Sequence, residues 1–81
     1  MIPGKLYALS LKPNFDYKGF IPFQRESSQN YPLKRLGEIP NMTVVLFVGD
    51  SFDKYGGLYR KIIYQDKVGV FSSTWATLEE P

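Results

Sequence analysis

Leu58-Tyr59-Arg60-Lys61-Ile62-Ile63-Tyr64-Gln65-Asp66-Lys67-Val68-Gly69-Val70-Phe71-Ser72-Ser73-Thr74-Trp75-Ala76 decides the fold. Leu58 to Tyr64 is dense in β-branched and aromatic residues, which suit the pleated, half-buried surface of a strand. Gln65-Asp66-Lys67 reverses the chain, and Val68 to Ser72 returns it as a second strand of a tight hairpin. A three-residue loop that pairs Tyr64 with Val68 keeps apolar residues opposite one another, and it is the expected register in preference to a two-residue loop that pairs Gln65 with Val68. Ser72 to Trp75 reads as a turn or a single 3₁₀ turn. Ala76 to Leu78 makes a last short strand before Glu79-Glu80-Pro81.

Working outward from this stretch, Gly56-Gly57 closes a loop from Asp53, with glycine available for positive φ. Thr43 to Val48 is the strongest strand of the chain. As an unbroken apolar run it is expected to be covered on both faces and to end at Gly49-Asp50-Ser51. Lys5 to Leu11 is a further strand, with Tyr7, Leu9 and Leu11 on one face. Residues 12–40 read as a long irregular loop, broken by Pro13, Gly19, Pro22, Pro32 and Gly37, with short strand-like pieces around Gly19 to Gln24. Seven Gly and six Pro across 81 residues leave no window for a sustained helical pattern. The chain is expected to be one domain, residues 1–81, in the all-β class.

Gly69-Val70-Phe71-Ser72-Ser73-Thr74-Trp75-Ala76 resembles the SH3 segment Gly, aromatic or aliphatic, Ile/Val/Phe, Pro, Ser, Asn, Tyr, Val. Leu58-Tyr59-Arg60 stands where an SH3 domain has Trp-Trp-Arg, and Leu6-Tyr7-Ala8-Leu9 echoes its Ala-Leu-Tyr-Asp-Tyr. Ile39 to Val45 resembles the diverging turn. The element order is similar to that of the family: strand, long loop, strand, loop, strand, hairpin, strand, 3₁₀ turn, short strand. The resemblance implies a five-stranded SH3-like barrel with a long first loop and a short 3₁₀ turn before the last strand. It also implies a partner-binding groove at Tyr7, Leu58, Ser72 and Trp75. In this groove Leu58 takes the place of the Trp, Ser72 of the Pro and Trp75 of the Tyr. The long loop carries Lys12, Lys18, Arg25, Lys34 and Arg35 against Asp16 and Glu26, the reverse of the charge that a Pro-rich ligand with an Arg requires.

Composition narrows the chemistry. There is no Cys and no His, so no disulfide, no structural zinc of the usual ligand set and no histidine acid–base pair is expected. The net charge of +2 is mildly basic and demands no particular partner. The longest apolar stretch, Met42 to Val48, falls far short of the roughly 20 residues of a membrane helix. Met1-Ile2-Pro3-Gly4-Lys5 has no signal-peptide core, and a cytoplasmic location is expected, host cytoplasm for a phage-encoded chain. Asn41-Met42-Thr43 matches a glycosylation sequon that such a chain would not use. Gly49-Asp50-Ser51 reads as a strand-terminal turn with no activating base for a serine nucleophile. Asp50 and Asp53 make a poor cation site without further carboxylates, and Gly56-Gly57 lacks the ending of a phosphate loop. No catalytic residue, metal site or cofactor is expected.

One segment stands out. Phe15, Tyr17, Phe20, Phe23 and Tyr31 are interleaved with Lys18, Arg25, Lys34 and Arg35. Such a loop either folds back to cover the barrel or stacks bases and holds phosphates, as single-strand binders do. Three functions are therefore carried forward. The first is a non-catalytic protein–protein interaction module, of the kind found as phage or bacterial accessory proteins, with a protein as partner. The second is a nucleic-acid-binding barrel of the KOW or Tudor-like kind that uses Phe15, Tyr17, Lys18, Phe20, Arg25, Lys34 and Arg35. The third is a structural or assembly subunit of a virus particle. Oligomeric state is left open.

Overall fold

The computed structural model describes residues 1–13, 19–25, 35–53 and 55–81. Among the described residues there are seven strands: β1 (Leu6–Leu11), β2 (Phe20–Gln24), β3 (Arg35–Pro40), β4 (Val44–Phe52), β5 (Leu58–Tyr64), β6 (Lys67–Ser72) and β7 (Ala76–Glu79). The chain is all-β, and no helix occurs among the described residues. The strands form one antiparallel sheet in the order β3-β2-β6-β5-β4-β1-β7. β3 and β7 are its two edges, and the hydrogen-bond ladder does not close on itself.

The expected strands around Lys5–Leu11, Thr43–Val48, Leu58–Tyr64, Val68–Ser72 and Ala76–Leu78 are β1, β4, β5, β6 and β7. The expected count of five is corrected to seven, because residues 12–40 contain the β2–β3 hairpin. That hairpin is part of the core: Ile21, Phe23 and Ile39 join Tyr7, Leu9, Val45, Phe47, Ile62, Phe71 and Ala76 there. A small chain buries little surface, so these side chains are structurally necessary. Pro22 is tolerated in β2 because the strand reaches β6 only at Gln24↔Val70, leaving one side of Pro22 without a ladder partner. The Cα radius of gyration, 11.6 Å, is close to the roughly 12 Å of a packed chain of this length, so the hairpin lies on the other strands.

β4 corrects two expectations. Val45 and Phe47 are buried while Val44 and Val48 are exposed, so the apolar run has one covered face, not two. Gly49-Asp50-Ser51 does not end the strand. The register shifts between Phe47 and Gly49, leaving Val48 as a bulge, and pairing resumes through Phe52↔Leu58. The β5–β6 hairpin also departs from the expected register. Tyr64 pairs with Lys67 across a two-residue turn in which Gln65 and Asp66 both have positive φ, 50° and 62°. Two left-handed central residues match the twist of the flanking strands, and this outweighs the apolar pairing that a three-residue loop offers.

Candidate functional site

Phe52 and Leu58 stand opposite each other where β4 and β5 begin to part. The connection between them is built on Asp53. Its Oδ1 accepts hydrogen bonds from the backbone N–H of Tyr55 at 2.8 Å and of Gly57 at 2.7 Å. Asp50 is engaged separately, its Oδ1 taking a hydrogen bond from Arg60 Nη1 at 2.6 Å across the β4–β5 pair. The two carboxylates thus hold the connection and the strand end, each with its own partners. Among the described residues, no three Asp or Glu gather as a metal-binding group would require.

The turn after β6 meets the same end of the sheet. Ser73 N–H donates to Leu58 O at 3.0 Å, and Tyr59 pairs with Ser72. Trp75 N–H donates to Ser72 O at 3.1 Å, the i→i+3 bond of the expected single turn, and Trp75 O accepts from Lys12 N–H at 2.9 Å. Ser72 Oγ accepts from Thr74 N–H at 3.2 Å. Leu58, Ser72 and Trp75 therefore lie at one end of the sheet, all half-buried, with the Trp75 ring packed against the core and Leu58 and Ser72 on opposite faces of the strand pair.

Tyr7 is the exception and a correction. It is 4% exposed and pairs with Val45, seven residues along β4 from Phe52. Its ring meets Phe47 edge-on at 6.0 Å, and its hydroxyl accepts from Ile2 N–H at 2.7 Å in place of reaching the surface. Tyr7 is a core residue. The loop from Phe52 to Gly57 is expected from sequence to flank the partner segment, but Phe52, which is 64% exposed, and the exposed Tyr55 were not among the expected groove residues. The available signal was two aromatic residues, Phe52 and Tyr55, on either side of Asp53-Lys54 just before Gly56-Gly57.

No protein-family model, curated protein or solved structure matches this chain. The reading of the site thus rests on its own geometry.

Of the aromatic, basic segment, Phe15, Tyr17, Lys18 and Lys34 lie outside the described residues. Phe20 and Arg25 are exposed at opposite ends of β2, and Phe23 is buried in the core with its ring edge-on to Tyr64 at 6.0 Å. Arg35 is exposed and lies 3.9 Å from Glu38. The described part of the segment therefore supplies core at Ile21 and Phe23 and leaves Phe20, Arg25 and Arg35 at the surface. No helix among the described residues is long and apolar enough to cross a membrane.

Proposed function

We propose that this chain is a small, non-catalytic protein–protein interaction module that takes a partner segment at the end of the sheet formed by Phe52, Leu58, Ser72 and Trp75. One observation carries the reading: Phe52 is 64% exposed beside half-buried Leu58 on a connection anchored by Asp53. An aromatic side chain left in water is one that a partner segment can cover, and aromatic residues are enriched in the cores of interfaces. The fold reading that accompanies it is SH3-like. Its support is that, with the β2–β3 hairpin set in the long first loop, the remaining strands pair in the order β6-β5-β4-β1-β7 and a single turn precedes the last of them.

A random-peptide library selected against the intact chain tests the function, with affinities of enriched peptides read from the fluorescence of Trp75, the only tryptophan. Phe52→Ala is expected to weaken binding by about tenfold or more while leaving the melting temperature unchanged. Binding indifferent to both Phe52→Ala and Leu58→Ala would put the contact elsewhere. The rival nucleic-acid reading is favoured by exposed Phe20, Arg25 and Arg35. It requires oligonucleotide affinity that falls steeply between two salt concentrations.

A further inference from the structure

β3 is an edge of the sheet, paired with β2 on one side. Asn41 N–H donates to Gly19 O at 2.7 Å, just beyond the Phe20↔Pro40 pair. Bonded and non-bonded pairs alternate along an antiparallel ladder. Ile21↔Ile39 and Phe23↔Gly37 are therefore bonded pairs, and Pro22↔Glu38 is not. Pro22, which has no N–H, fits that position. The N–H and C=O of Glu38 turn away from β2, toward the side of β3 that has no neighbouring strand. Beside this edge is a notch of about 40 Å³, with Phe23, Leu36, Gly37, Glu38, Tyr64 and Lys67 in its walls. Gly37 keeps it open. It shares a face with Phe23, and a Cβ built on it would meet nothing within 4 Å.

We propose that this edge and notch bind an extended segment of a partner protein, which adds an antiparallel strand to β3 and sets one aliphatic side chain over Gly37. Backbone chemistry names the occupant first. An edge N–H and C=O are matched by another extended backbone, which accepts from one and donates to the other. In that pairing Glu38 is a bonded position and Gly37 a non-bonded one, where facing side chains come closest. The residue opposite Gly37 thus points into the notch. A water-sized group takes roughly 10–15 Å³ of such room, so the notch holds about three or four carbon atoms, the side chain of Val, Leu or Ile. Charge adds a further feature. Glu38 has Arg35 3.9 Å away, while Lys67 stands exposed at the notch with no ion pair among the described residues. An Asp or Glu two positions from the aliphatic anchor lies on the same face of the added strand and meets Lys67. Pro40 has no N–H, and its C=O accepts from Thr43 Oγ1 at 2.7 Å, so the added strand pairs over a short stretch and binds weakly. The notch lies at the opposite end of β5 from Leu58, apart from the partner site proposed above.

The probe is the peptide acetyl-Thr-Asp-Thr-Val-Thr-Asp-Thr-amide, whose symmetry places an Asp two residues to either side of the Val. Titrated into the intact, isotope-labelled chain, it is expected to bind with a dissociation constant between about 10 µM and 1 mM. It shifts the amide signals of Gly37, Glu38 and Lys67 and slows hydrogen exchange at the Glu38 N–H. Replacing the Val by Ala weakens binding about tenfold, and Trp, too large for the notch, weakens it at least as much. Lys67→Glu weakens it about tenfold. N-methylation of the two Thr beside the Val removes the backbone donors and weakens it at least tenfold. Glu38→Pro deletes an N–H that β2 does not use and has the same effect, whereas Glu38→Ala keeps binding within about threefold. Phe52→Ala leaves it unchanged, which separates this edge from the partner site above. No binding at about 1 mM peptide overturns the proposal. So does binding indifferent to N-methylation or to Glu38→Pro. Self-association of the chain that Glu38→Pro removes would give the edge to a second copy and overturn it too. The peptide series remains decisive even if Glu38→Pro disturbs folding.

Discussion

Gly69 shows how narrow the tolerance is for a single residue. A Cβ added there would lie 2.7 Å from both Gln24 O and the Phe23 ring, where β2 touches β6. Neither neighbour is the free end of a flexible chain. Gly69→Ala is expected to cost about 2–3 kcal/mol by overpacking, measured by chemical denaturation; a cost near zero would mean that β2 is not held against β6. The β5–β6 turn offers the opposite case. Gln65 and Asp66 occupy left-handed conformations that side chains of their kind adopt at a cost. An Asn-Gly dipeptide is the pair preferred for such turns, and putting it in their place is expected to stabilise the fold by about 1 kcal/mol. A lower melting temperature for the double variant Gln65→Asn with Asp66→Gly would contradict the two-residue register.

β6 holds both extremes of the division between core and solvent. Phe71 is fully buried, while Val68 is more than half exposed. Phe71→Ala is expected to cost about 3–5 kcal/mol, and Val68→Thr to stay within about 0.5 kcal/mol of the parent, both read from urea unfolding at matched slope. Legibility from sequence followed the same division. β1, β5, β6 and β7 were readable because short apolar stretches lie between turn residues. β3 was not, because Arg35-Leu36-Gly37-Glu38-Ile39-Pro40 carries only Leu36 and Ile39 to mark it, and its pairing with β2 is what makes it a strand. Six successive apolar or β-branched residues at Thr43 to Val48 concealed the alternation in β4, since residue type alone does not say which face water touches. The candidate site was half visible. Leu58, Ser72 and Trp75 lie at one end of the sheet because the hairpin and the turn after it are local, but Ser72 stands opposite Tyr59, the neighbour of Leu58. Tyr7 was misplaced because its position depends on pairing with β4, far away in the chain.

The whole molecule is held together by contacts between distant parts of the chain. β1 lies between β4 and β7, and β2 reaches across to β6. Such pairings require the chain to close long loops before any contact forms, which slows folding relative to helical chains of the same size. Refolding followed by Trp75 fluorescence in a stopped-flow instrument is expected on the millisecond-to-second scale; a microsecond phase carrying the full amplitude would exclude it. The neighbouring placement of β1 and β7 has a further consequence. Ala8 faces Glu79, and Lys5 Nζ meets Glu80 Oε1 at 2.9 Å, a contact that raises the pKa of Lys5 by its hydrogen bond and its charge. Any stability this exposed pair adds is present below the ordinary lysine pKa and is lost as pH rises through the raised value. The strand that opens the sheet and the strand that finishes it thus emerge side by side. A few linking residues would turn the path into a closed ring, and the same geometry lets the unit be spliced into a surface loop of a larger protein without stretching its host.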